Sequence, residues 1–141
     1  VNESDLWKYI KTGMIGKWHA SRIESSAGNG IPDISFGLPG KNGWIELKYI
    51  REWPKRQDTK VKLPLRPEQK HWISARGGLS GDVWVLVRIQ DDFFLVSWRD
   101  CKSAAEQGWT QAEWSGICTM FGMHWHGRIN FNELLEILYE S

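Results

Sequence analysis

Two stretches decide how this chain folds. They are Ile31-Pro32-Asp33-Ile34-Ser35-Phe36 and, after Gly37-Leu38-Pro39-Gly40-Lys41-Asn42, Gly43-Trp44-Ile45-Glu46-Leu47-Lys48-Tyr49. The second stretch alternates apolar and polar side chains, the period of a half-buried strand, and the glycines and proline between the two mark a turn. A hairpin closed by those six residues pairs Phe36 with Gly43, Ser35 with Trp44 and Asp33 with Glu46. Opposed residues on one sheet face carry Cβ atoms roughly 4.5–5.5 Å apart, so this register sets two carboxylates side by side. As a structural pair they repel. A divalent cation such as Mg²⁺ or Mn²⁺, which takes hard oxygen ligands, removes the objection. Lys48 follows Glu46 by two and points to the same face, whereas Ile45, Leu47 and Tyr49 point to the other. Acid, acid and ammonium on one surface suit phosphodiester hydrolysis: metal ions neutralise phosphate charge, and a lysine orients the nucleophile or stabilises the transition state.

Around this hairpin the pattern predicts an α/β or α+β layer fold in a single domain, 1–141, with a core of about 3–98 and a helical extension over 99–141. Leu6, Trp7, Ile10 and Met14 recur at helical spacing over 4–15. A strand spans 18–24, and Ser25-Ser26-Ala27-Gly28-Asn29-Gly30 forms a turn. A second helix runs from Arg66 to Arg76, with Pro67 in its first turn and Gly77-Gly78 as its stop. An apolar hairpin covers 82–89 and 93–98, and one or two short helices lie within 99–129. A last helix carries Phe131, Leu134, Leu135 and Leu138 on one face, with Asn130 and Glu133 spaced as a capping box.

The chain has 141 residues with 18 basic and 17 acidic side chains, a formal net charge of +1. That balance argues against a generally basic coat for nucleic acid, but the charges are segregated. From Lys48 to Arg76 nine basic residues face only Glu52, Asp58 and Glu68, a local charge of +6, and the remainder carries −5. A strip of this kind gains affinity for phosphates by releasing counterions. Trp53 and three prolines, Pro54, Pro64 and Pro67, interrupt it, which disfavours a disordered polycation. No apolar run reaches the ~18–20 residues of a membrane span, and the start Val-Asn-Glu-Ser-Asp lacks the pattern of a secretory signal. Cys101 and Cys118 are too few for a disulfide framework, so a reducing compartment is expected.

Pro32-Asp33, twelve residues, then Glu46-Leu47-Lys48 resembles the PD-(D/E)xK nuclease signature. With Arg22 to Gly30 before it and Leu65-Arg66-Pro67-Glu68-Gln69 after it, the pattern over about residues 3–98 is similar to the virus-type replication-repair (VRR-NUC) branch. That branch is related to archaeal Holliday junction resolvases and frequent in phage genomes. The resemblance implies a restriction-endonuclease-like mixed sheet flanked by helices and a Mg²⁺- or Mn²⁺-dependent DNA endonuclease that leaves a 5′-phosphate. Asp33 and Glu46 would hold the metal, Lys48 would be the catalytic lysine, and Gln69 would support the site. Glu24 and Glu3, with Asp5 a poorer match, compete for an accessory metal-binding role. The segment Arg51–Pro64, which many relatives lack or shorten, reads as a DNA-binding flap, and Arg51, Trp53, Lys55, Arg56, Lys60, Lys62, Arg66 and Lys70 of the basic strip are the expected DNA contacts. A bacterial or phage-encoded protein of the cytoplasm follows from the resemblance. The partner is DNA, cut as a junction, a flap or a duplex, and a resolvase would act as a homodimer because a four-way junction needs two cuts.

Two other classes compete: a DNA-binding module with a vestigial site, and a sequence-specific restriction or homing nuclease. The intact Asp, Glu and Lys speak against the first, and the lack of a visible recognition helix against the second. Cys118, His124 and His126, with Cys101 in reserve, raise a zinc reading that their spacing does not favour. Trp7, Trp72, Trp84 and Trp98 suit core packing. Trp44 reads as a half-buried aromatic at the site edge, and Trp53 is open to stacking on a base.

Overall fold

A computed structural model describes residues 2–23 and 29–140. In chain order the elements are α1 (Glu3–Gly13), β1 (His19–Arg22), β2 (Ile34–Leu38), β3 (Lys41–Ile50), α2 (Pro67–Ser80), β4 (Val83–Ile89), β5 (Asp92–Ser97), α3 (Trp98–Glu106), α4 (Gln111–Phe121), β6 (Met123–His126) and α5 (Phe131–Glu140). The strands form one sheet in sequence order, β1 to β6. Every neighbouring pair is antiparallel except β3–β4. A parallel pair needs a crossover, and the chain from 51 to 82 supplies it with α2 on one face. The fold is α+β with a mixed sheet, as the sequence pattern predicts. No helix among the described residues is long and apolar enough to cross a membrane.

Strand parity divides the interior into two cores. Ile45 and Leu47 of β3, with Trp84 and Leu86 of β4, turn towards Leu6, Ile10 and Met14 from α1 and Leu134 and Leu138 from α5. Val83, Val85, Val87 and Ile89 turn the other way, towards Ile73 of α2, Cys101 and Ala104 of α3, and Trp114 of α4. Because β4 is buried on both faces, its sequence is a near-continuous apolar run. Asn2 caps α1 in a reciprocal box with Asp5, each side chain accepting from the other's backbone N–H, at 2.9 and 3.0 Å.

Several expected boundaries move. The helix α2 does not stop at Gly77-Gly78. It continues to Ser80, and Gly81, at φ +75°, is its left-handed cap. Gly77 serves packing: a Cβ there would collide with the Trp98 ring at the start of α3. The Asn130–Glu133 box is only half made. Asn130 Oδ1 accepts from the Glu133 backbone at 3.2 Å, but the Glu133 carboxylate instead accepts from the Trp125 indole at 3.0 Å. The edge strand β6, four residues long, was not predicted as a strand.

The basic segment is a fastened strap. Val61 pairs with Trp109 in an isolated bridge, the Leu63 N–H donates to the Ala104 carbonyl at 2.9 Å, and the Trp114 indole donates to the Val61 carbonyl at 3.2 Å. Val61 and Leu63 are buried in the core beneath α3 and α4, so the middle of the strap is part of the fold and only its outward side chains face solvent.

Candidate active site

The hairpin has the predicted register: Phe36 opposes Gly43, Ser35 opposes Trp44, and Ile34 opposes Ile45. Asp33 lies one residue before the start of β2, where the β2–β3 ladder ends. There Asp33 Oδ2 accepts the Leu47 backbone N–H at 2.8 Å, which fixes its carboxylate beside Glu46. Glu46 is only 2% exposed. Lys48 Nζ stands 3.5 Å from Glu46 Oε2, so Asp33, Glu46 and Lys48 occupy one corner, on the side of the sheet that α2 covers.

Gln69 joins this corner from α2. Its Nε2 donates to Glu46 Oε2 at 2.9 Å, and its Oε1 accepts the Arg66 backbone N–H at 3.0 Å. The helix N-terminus therefore orients the amide and leaves its NH₂ group for the carboxylate. Gly30 brings the two halves together. It has φ +80°, and a Cβ at this position would collide with the Glu68 backbone at the start of α2. Only glycine allows the approach to Asp33 to run so close to the helix.

Burial, reinforced by the charge of Asp33 and only partly opposed by Lys48, pushes the Glu46 carboxyl up to about 8. A buried carboxyl that shares a hydrogen bond with a second carboxyl holds a proton in place of a cation. Two hard oxygen donors short of positive charge are the donor set that a divalent metal completes, so the residues present fit the ion. Among the described residues no group of three or more His, Cys, Asp or Glu side chains is arranged to hold a metal. The pair Asp33–Glu46 is what the described chain offers.

The other predicted residues fall in different places. Glu24 lies outside the described residues. Glu3 is exposed in the first turn of α1, yet its charge contributes to raising Glu46. Asp5 is engaged in capping α1. Along the strap Arg51, Lys55 and Lys62 are exposed. Arg56 pairs with Asp58 at 3.1 Å and Arg66 with Glu68 at 3.0 Å. Lys60 reaches Glu113 at 3.6 Å and Lys70 reaches Glu106 at 3.8 Å. Acids from α3 and α4 thus offset part of the +6 counted along the sequence. The strap flanks the site at its two ends, Arg51 and Arg66. Its middle lies over α3 and α4.

Trp53 is seated in the fold and is not a free stacking platform. Its indole N–H donates to Asp92 Oδ2 at 2.7 Å and its ring stands edge-on to Phe94 at 5.9 Å. His124 Nε2 and His126 Nδ1 both meet Asp92 Oδ1, at 2.8 and 2.9 Å. The two imidazoles are thereby committed to a carboxylate, and the side chain of Cys118 lies outside what is described. Trp44 is half-buried as expected. Trp72 packs against the core as expected and, like Trp44, is only half-buried. The two rings meet edge to face at 5.2 Å, and the Arg76 guanidinium lies over both, 4.7 Å from Trp72 and 5.6 Å from Trp44. Arg76 was not among the predicted site residues. The available signal was its spacing, since residues 69, 72 and 76 share one helix face.

No protein-family model matches the chain, and no curated protein sequence matches it. Among solved structures it is similar to Hjc, a Holliday junction resolvase from the archaeal hyperthermophile Archaeoglobus fulgidus. The two are 17% identical, the match covers 69% of this chain and 76% of that one, and the TM-score is 0.44.

Proposed function

We propose that the chain is a divalent-metal-dependent endonuclease that hydrolyses phosphodiester bonds in branched or duplex DNA. The observation that carries this reading is Glu46, a carboxyl buried against Asp33 and kept from ionising normally, with a lysine ammonium and an oriented amide on the same oxygen. Such an arrangement costs stability as it stands, and a cation and a phosphate would complete it. Asp33 and Glu46 would hold Mg²⁺ or Mn²⁺, with Glu3, whose charge reaches Glu46, and Glu24, read from the sequence alone, as candidates for a further ligand. The bound ion would neutralise phosphate charge and lower the pKa of water.

The chain's own groups have separate tasks. Gln69 fixes the rotamer of Glu46. Asp33 is held by the Leu47 N–H. Lys48 places a positive charge where the attacking water and the phosphate oxygens meet, and so orients the one and stabilises the charge gathering on the other. Water oxygen bonds to phosphorus, the bond to the 3′ oxygen breaks, and that oxygen takes up a proton, leaving a 3′-hydroxyl and a 5′-phosphate. Arg51 and Arg66, at the two ends of the strap, would neutralise flanking phosphates.

The test is one preparation assayed with Mg²⁺ and with Mn²⁺ on a four-way junction, a flap, a linear duplex and a single strand. Wild type should cut at least one of these, and Asp33→Ala and Lys48→Ala should not. Equal cutting by wild type and Asp33→Ala would remove the site assignment. DNA binding with no cleavage under any condition would make the chain a binding module.

A further inference from the structure

The two elements that build the carboxylate corner continue beyond it. On β3, Trp44 lies two residues before Glu46 on the same face. On α2, Trp72 and Arg76 follow Gln69 at three and seven residues, on the same helix face. Glu46 meets Gln69, and next to that contact Trp44 meets Trp72 with Arg76 over both rings. The two-residue step along β3 is about 7 Å, of the order of one nucleotide in an extended strand.

The neighbouring part of the sheet is open. On β1 and β2 the face towards α1 and α5 carries Ala20, Ile34, Phe36 and Leu38, which pack into a core. The opposite face carries His19, Ser21, Ser35 and Gly37, with Asn42 of β3 beside them, and these remain exposed or half-exposed. The helix α2 packs on β4 and α3. The sheet is therefore covered on both faces at its middle and on one face at β1–β2. Among the described residues this leaves a shelf whose floor is polar, mostly of small side chains, and carries no carboxylate. Its wall is the Trp44–Trp72–Arg76 cluster, and its inner corner is Asp33 and Glu46.

We propose that Arg76, held in orientation by the two indoles, contacts a DNA phosphate next to the scissile one, and that the strand being cut lies along this shelf. The proposal rests on the nuclease reading. Its occupant is the sugar-phosphate backbone of one DNA strand, for three reasons. Among the described residues the floor lacks the negative charge that would repel it, and its serines and glycine permit close approach. The wall cluster carries an arginine, whose planar group stacks on indole and recognises phosphate oxygens.

The experiment measures cleavage kinetics on the best substrate and, in an Asp33→Ala background, equilibrium binding of the same DNA by anisotropy across a salt series. Arg76→Ala should raise KM and Kd at least tenfold and leave kcat within about twofold. It should also reduce the slope of log K against log salt by about 0.7–0.9, one phosphate contact. Arg76→Lys should restore the slope but not the affinity, since lysine keeps the charge without the stack. Ser35→Glu, on the floor, should weaken binding to a similar degree, and Arg128→Ala, outside the shelf, should change none of these quantities. Thermal melts accompany each variant, and Ser35→Glu decides the matter if Arg76→Ala melts early. Unchanged affinity and slope for Arg76→Ala and Ser35→Glu, in a wild type that cuts DNA, would overturn the proposal and leave the nuclease reading intact. A wild type that neither binds nor cuts DNA would overturn both.

Discussion

Two acids in this sheet are almost equally hidden from solvent, and they behave in opposite ways. Glu46 is 2% exposed and Asp92 7%, so desolvation works against the charge of both. For Asp92, hydrogen bonds from His124, His126 and Trp53 outweigh burial and hold its carboxyl below the usual range. Glu46 receives one amide donor and a lysine at 3.5 Å, and it faces a second carboxylate, so it is driven up to about 8. The difference lies in how deeply each acid is packed and in what surrounds it: burial is the largest influence on Glu46, whereas three donors overcome it at Asp92. The Asp92 cluster is satisfied by the protein itself and ties β6 and the root of the strap to β5. The Glu46 cluster is left short of positive charge, a condition that something from outside the chain would relieve.

Substitutions should separate the two clusters sharply. Glu46→Gln should abolish cleavage altogether, while the metal-free protein at pH 8 melts no lower than wild type, because a strained acid has been replaced by a neutral isostere. Asp92→Ala should do the reverse. It leaves the Trp53 indole N–H and the partly buried His124 without their acceptor, and a loss of about 2–3 kcal/mol in denaturant unfolding is expected, with kcat per folded molecule close to wild type. If Asp92→Ala proved silent in stability, the contrast between the clusters would fail.

Removing a single donor from each gives smaller effects. Gln69→Ala takes the only amide from Glu46, so cleavage should fall by about 10–100-fold and its pH profile should move to higher pH. Trp53→Phe takes one of three donors from Asp92 and should cost about 1–2 kcal/mol of stability without moving the pH profile.

The pH dependence of stability separates the two acids by sign. The folded-state pKa of Glu46 lies above its unfolded value of 4.5. Between these values the unfolded chain releases a proton that the folded chain keeps. Metal-free stability should therefore fall as pH rises from about 4.5 to 8, by up to about 1.4 kcal/mol per pH unit. Glu46→Gln should flatten this slope in urea titrations. Asp92 has the opposite sign: its lowered pKa contributes stability that is present above 3.8 and is lost as pH falls through the folded value.

The two clusters also differ in how far the sequence reveals them. Asp33, Glu46 and Lys48 sit on two strands joined by a short turn, where alternation and turn length fix which side chains are opposed. Their placement follows from local rules. Gln69 comes from a distant helix, and its role was implied by the motif around it. The partners of Asp92 lie 32, 34 and 39 residues away, and no local period links them. The strand β6 that carries two of them is a four-residue edge whose Met-His-Trp-His sequence gives little pattern. Gly77 misled for a related reason. Glycine ends helices and also admits close neighbours, and only the Trp98 ring, twenty-one residues on, shows which use applies here. The strap read as a flap because its charge is legible in sequence, whereas the burial of Val61 and Leu63 under α3 and α4 is not.

Gly30 has a wider consequence for the site. Asp33 hangs from the chain that follows it, and Gln69 rides on the helix turn against which it is pressed. One missing methyl group therefore sets the spacing of both, and the two halves of the corner behave as a single rigid part. A side chain at position 30 would act as a spacer wedge, parting the acid from the amide together.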